Sequence, residues 1–146
     1  MKRLVLTLTI ALSLISLSSF ATDVKVNPAA LKSFNKTFKN ATEVSWTAGN
    51  EFYKANFTLS GQFVSAYYNV DGKMIALTRN ISSTQLPIAL QANMKKDYEG
   101  FWITDLFEMT NDEGTFYYVT LENADNSVVL KSNNQDWEKF KKQSKS

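Results

Sequence analysis

From Phe52 to Leu77 apolar and polar residues alternate with a period of two, the signature of strands with one buried face. Three dipeptides punctuate this stretch as hairpin signals: Gly49-Asn50, Ser60-Gly61 and Asp71-Gly72. Their registers can be tested against one another, because a one-residue slip sends every side chain to the wrong face. Closing the middle turn pairs Phe57 with Val64, Ala55 with Ala66 and Tyr53 with Tyr68. Closing the Asp71-Gly72 turn pairs Tyr68 with Ile75 and Ala66 with Leu77, and closing the first pairs Trp46 with Tyr53 and Val44 with Ala55. All three assign one set to the core face: Val44, Trp46, Tyr53, Ala55, Phe57, Val64, Ala66, Tyr68, Ile75 and Leu77. The opposite face is polar, yet it carries Phe52, Phe63, Tyr67 and Met74, with Lys54 beside Tyr67.

A 3.6-residue period takes over on either side of this meander. Asn27-Pro28 reads as an N-cap with proline at N1, and Leu31, Phe34 and Phe38 follow at helical spacing up to Asn40. A second helix is expected from about Ser83 to Tyr98, with Leu86, Leu90 and Met94 on one face and Lys95-Lys96 at its C-terminal end. Strands follow again near Phe101–Met109, Phe116–Asn123 and Val128–Lys131. "FYYVTLEN" at Phe116 corresponds to "FYKANFTL" at Phe52, placing Tyr117, Val119 and Leu121 in the core and Phe116 and Tyr118 on the open face. The Asp125-Asn126 turn agrees, pairing Leu121 with Leu130 and Thr120 with Lys131. The Asn111–Gly114 loop fixes no register, so the facing of Phe101 to Met109 stays open. The fold expected is α+β: two tandem helix-plus-meander repeats, about 27–80 and 82–137, forming one antiparallel sheet with helices on one face.

The N-terminus changes how the composition is read. Lys2 and Arg3 precede an apolar run from Leu4 to Leu17, and Ser19 and Ala21 supply small residues for cleavage after Ala21, as in a secretory signal peptide. The run is short of the ~20 residues a membrane span requires, so no stable membrane anchor is expected after cleavage. Of 16 Lys+Arg, two lie in this segment, leaving 14 against 14 Asp+Glu in the remainder. A neutral single domain of 22–146 lacks the basic footprint of a nucleic-acid binder. Its lysine-rich end (Lys139, Lys141, Lys142, Lys145) reads as a solvated tail. The chain has no cysteine and no histidine, which removes disulfides, the usual general base and the commonest metal ligand.

Chemical motifs are correspondingly thin. Ser33-x-x-Lys36 matches one element of penicillin-binding enzymes, but the Ser-Asp-Asn and Lys-Thr-Gly elements are absent. The acids Asp112-Glu113 and Asp105/Glu108 lie in turns too short for a calcium loop. Four Asn-x-Ser/Thr strings, at Asn35, Asn40, Asn56 and Asn80, matter only in a glycosylating host. No catalytic residue, metal or cofactor is expected.

The strings "ATEVSW", "AYYNVDGKMIALTRNIS", "LPIAL", "ITDLFEM" and "YYVTLENADNSVVLKS" resemble the PepSY-like, beta-lactamase-inhibitor-like family of exported bacterial proteins. The resemblance covers Phe38 to Trp137 and rests on hairpin and core strings. It implies a long sheet whose open concave face grips a partner protein, and regulation of peptidases or other enzymes outside the cytoplasm. The chain departs from the secreted inhibitor in lacking its disulfides, and no inhibitory loop can be matched. The reading is a periplasmic or secreted non-enzymatic module that binds a protein or peptide partner of the cell envelope. Its expected contact residues are Phe52, Lys54, Phe63, Tyr67, Met74, Phe116 and Tyr118. The alternative, a small-ligand carrier or envelope stress factor, requires an apolar cleft between helices and sheet near Leu90 and Met94.

Overall fold

The computed structural model describes residues 24–145. The expected signal peptide, residues 1–21, lies outside them. Eight strands form one antiparallel sheet in chain order: β1 (Thr42–Ala48), β2 (Phe52–Leu59), β3 (Gln62–Asn69), β4 (Met74–Asn80), β5 (Trp102–Asn111), β6 (Gly114–Glu122), β7 (Asn126–Ser132) and β8 (Glu138–Ser144). Helix α1 (Pro28–Thr37) precedes β1, and a short 3-10 turn (Ser83–Gln85) and helix α2 (Ile88–Asp97) join β4 to β5. Both helices pack on the same face, so the α+β class and the helix-plus-meander plan read from the pattern are the ones found. No helix among the described residues is long and apolar enough to cross a membrane.

The helix face is buried as two clusters. Ala30 and Phe34 of α1 close over Ala55, Phe57, Val64, Ala66 and Tyr68, while Leu90 and Met94 of α2 close over Leu106, Val119, Leu121, Val128 and Leu130. The expected side of α1 needs one correction. Leu31 is 37% exposed and Ala30 takes the core position, because the sheet lies under the Ala30–Phe34 stripe, four residues apart. Pro87 precedes α2 as its N-cap residue, so the helix begins at Ile88 rather than at Ser83.

The middle hairpin has the expected register, Phe57 opposite Val64 and Tyr53 opposite Tyr68. Ser60 and Gly61 both hold positive φ, 51° and 78°, as a two-residue type I′ turn requires. The other turns keep the facing but shift the pairing. The first loop closes on Asn50-Glu51 rather than Gly49-Asn50, so Trp46 pairs with Ala55 and Ala48 with Tyr53. The Asp125-Asn126 turn closes on Ala124-Asp125, so Leu121 meets Val128 and Lys131 meets Tyr118. Each is a shift of two, which preserves the face.

Bulges account for the misplaced residues. Register shifts between Thr42 and Ser45, where Glu43 has φ 53°, and Val44 is left 40% exposed instead of buried. The Asp71-Gly72 hairpin holds three loop residues, with Asn69 Oδ1 accepting from the backbone N–H groups of Asp71 and Lys73. Tyr68 therefore faces Met74, not Ile75, before the register recovers at Tyr67–Ala76 and Ala66–Leu77. Gly72 has a second constraint: a Cβ there would lie 2.6 Å from the Ala29 carbonyl carbon, so this turn carries the start of α1.

Candidate functional site

The face without helices holds its own apolar cluster. Ala76, Met109 and Tyr118 are buried there, with Tyr67, Phe107, Phe116 and Val129 packed around them. Cross-strand pairing explains how they meet. Lys54, Tyr67 and Ala76 are successive neighbours across β2–β4; Thr78, Met109 and Phe116 across β4–β6; Phe107, Tyr118 and Lys131 across β5–β7. The patch thus crosses the β4–β5 seam and joins both halves of the sheet. Burial without a covering helix means that these side chains pack over one another.

Ring geometry orders the patch. Phe107 and Tyr118 stack at 5.1 Å with an interplanar angle of 9°, and Phe140 of β8 meets Tyr118 edge-on at 5.7 Å. Toward the other end Phe52 lies 6.0 Å from Tyr67. Ammonium groups sit over the rings: Lys131 Nζ is 4.4 Å from the Phe116 centroid and 5.7 Å from Tyr118, and Lys54 Nζ is 5.5 Å from Tyr67. At the far corner Lys145 Nζ lies 5.3 Å over Trp102 and bonds Glu122 at 2.7 Å. Burial pushes the Asp105 carboxyl above its ordinary value, against a backbone hydrogen bond at Leu106 that lowers it. Ser65, also buried on this face, donates to Asn56 Oδ1 at 2.7 Å.

Of the residues singled out in the sequence, Phe52, Lys54 and Tyr67 lie together on β2–β3, and Phe116 and Tyr118 lie together on β6. Phe63 is 56% exposed beside the β2–β3 turn, opposite Thr58 and outside the cluster. Met74 stands opposite Tyr68, the core-side position, because of the bulge. Pattern reading missed Phe107, Met109 and Phe140. Treating Asp112-Glu113 as a two-residue loop would have found the first two, since Asn111 pairs with Gly114, Met109 with Phe116 and Phe107 with Tyr118. Phe140 was hidden in the lysine-rich end, which is strand β8 rather than a free tail.

The helix side offers little room. Leu90 and Met94 are packed into the core where a ligand cleft was the alternative expectation. A depression of about 240 Å³ at the end of α2, lined by Met94, Tyr98, Phe101, Ile103 and Leu121, is below the usual range of small-molecule pockets. Between the helices Arg79 makes a two-pronged bond to Glu108, Nε to Oε1 at 2.9 Å and an Nη to Oε2 at 3.2 Å. Among the described residues no three His, Cys, Asp or Glu side chains gather as a metal site.

An open eight-stranded sheet gripped on one side by two helices, with an aromatic face on the other, defines the class of this fold. No family model and no curated protein matches the sequence. Solved structures do. The fold is similar to a BLIP-like protein from Bacteroides fragilis, at a TM-score of 0.69 and 18% identity over 83% of this chain and 87% of that one. It is also similar to a DUF2874 family protein from Bacteroides ovatus, at 0.73 and 16% over 82% and 88%. A protein from Bacteroides eggerthii, described as a candidate periplasmic protein, matches at 0.74 and 10% over 82% and 89%. The fold is therefore BLIP-like.

Proposed function

We propose that the chain is an exported, periplasmic or secreted, non-enzymatic module that grips a protein or peptide partner across the helix-free sheet face. One observation carries the reading: a contiguous aromatic and methionine patch on the face that neither helix covers. Aromatic and Met side chains are the ones enriched in the cores of protein interfaces. Phe52, Lys54, Tyr67 and Phe116 act as contacts, joined by Phe107 and Phe140 and supported from beneath by the buried Tyr118 and Met109; Phe63 acts at the margin, and Met74, on the core side, takes no part. The BLIP-like and PepSY-like resemblance gives the reading its concrete form, inhibition or regulation of an enzyme of the cell envelope.

The test is affinity capture from an envelope extract, followed by titration of each captured protein in purified form against wild type and Tyr67→Ala/Phe116→Ala. The variant is expected to fold and to lose its partners. Unchanged affinity in a folded variant would sink the proposal.

A further inference from the structure

The charges on the aromatic face are unevenly satisfied. Lys145 is held by Glu122. Lys54 and Lys131 form no ion pair among the described residues, and their ammonium groups rest on rings instead. Glu138 is the cross-strand neighbour of Lys131, yet no ion pair joins them. Asp105, the acid nearest the centre by register, sits opposite Thr120 and is disfavoured as an anion by its burial. The face therefore presents an apolar centre with Lys54 on one flank and Lys131 on the other, each with a π-face on one side and spare N–H donors on the other, while Lys141 stands opposite Val129 at the outer edge without a ring beneath it.

Resting on the binding role proposed above, we infer that the partner segment carries carboxylates on either side of an aromatic or aliphatic centre, one meeting Lys54 and the other Lys131. The spacing follows from the sheet. Lys54 on β2 and Lys131 on β7 are five strand steps apart, about 24 Å at ~4.8 Å per step. Both ammonium groups lean inward, over Tyr67 on β3 and Phe116 on β6, and three strand steps with a two-residue offset leave them roughly 15 Å apart. That gap corresponds to about four to five residues of extended chain at ~3.3 Å each. The segment crosses the strands rather than adding to an edge, since contacts come from the face and not from backbone ladders.

A random peptide display library panned on immobilised protein tests this. Binders are expected to carry Asp or Glu on both sides of an apolar centre at that spacing. A synthetic representative should bind Lys54→Gln/Lys131→Gln about tenfold more weakly at low salt, and Lys54→Arg/Lys131→Arg nearly as well as wild type. Binders without acidic bias that are lost in Tyr67→Ala/Phe116→Ala overturn the carboxylate inference while leaving the binding face intact. Binders indifferent to Tyr67→Ala/Phe116→Ala, or none at all, overturn both. Thermal melts of each variant separate lost contact from lost fold.

Discussion

The two halves of the sheet share a plan and differ in what fills it. Under α1 the core is aromatic: Phe34 lies 5.0 Å from Phe57, 5.3 Å from Trp46 and 5.4 Å from Phe38. Under α2 it is mainly aliphatic, built on Leu86, Leu90, Val119, Leu121 and Leu130 with Tyr117 buried among them. The helices are also tied down differently. Asn27 caps α1, accepting from Ala29 N–H at 2.8 Å while donating to Val70 O at 2.8 Å. Helix α2 has no side-chain cap and is instead held from the β7–β8 loop, by Trp137 Nε1 donating to Leu90 O at 2.9 Å and Asn93 donating to Asp136 at 2.8 Å. The plan is thus set by turns and facing, and a core of roughly the right volume can be written in either residue class.

The hardest break of this comparison is a cavity in each core. Phe57→Ala should cost about 3–5 kcal/mol and Leu90→Ala about 2–5 kcal/mol, read by urea denaturation. With Trp102→Phe as background, Trp46 reports on the first half and Trp137 on the second. Both probes should move together in each variant, because β4 and β5 form one continuous ladder from Ala76–Asn111 to Asn80–Phe107. Separate transitions would show the halves to be independent folding units.

Smaller changes test the tethers. Asn27→Ala should cost about 1 kcal/mol through the lost cap, and Trp137→Phe about 1 kcal/mol through the unpaired Leu90 carbonyl. Asn27→Asp keeps the cap and removes only the bond to Val70, so its loss should be smaller. If Asn27→Asp is as damaging as Asn27→Ala, the tie to the β3–β4 turn matters more than the cap.

Much of this was legible because three closely spaced turns constrain one another, and a two-residue error leaves every face intact. Ala55, Phe57, Val64, Ala66 and Tyr68 were placed in the core that way. Val44 failed, and Ile75 lost its expected partner Tyr68 to Met74, because a bulge inserts one residue, which alternation does not reveal. On the open face Phe52, Lys54, Tyr67, Phe116 and Tyr118 were legible as a side, but their clustering was not. That required the β4–β5 seam, a long-range pairing which no turn specifies, to bring Ala76 and Thr78 against Asn111 and Met109. Strand β8 was illegible for another reason: Lys139, Lys141 and Lys142 shield a sheet edge and erase its apolar alternation.

The smallest effect separates two buried phenols, one in each half. Tyr68 is fully buried and its hydroxyl has no partner among the described residues; burial pushes its pKa up to about 12. Tyr117, under the second half, is also raised by burial and by Glu108, with Arg79 opposing. Because burial penalises the ionised phenolate, the group leaves stability unchanged below its ordinary value of 10.0 and lowers it as pH climbs from there toward about 12, where the unfolded chain ionises first. Tyr68→Phe removes both the orphaned hydroxyl and the alkaline linkage. It should raise stability by up to about 1 kcal/mol at neutral pH and flatten the decline between pH 10 and 12, measured as melting temperature against pH. A loss of stability at neutral pH would mean that the hydroxyl is satisfied by bound water, and the packing contrast between the two halves would then include a buried polar link on the aromatic side.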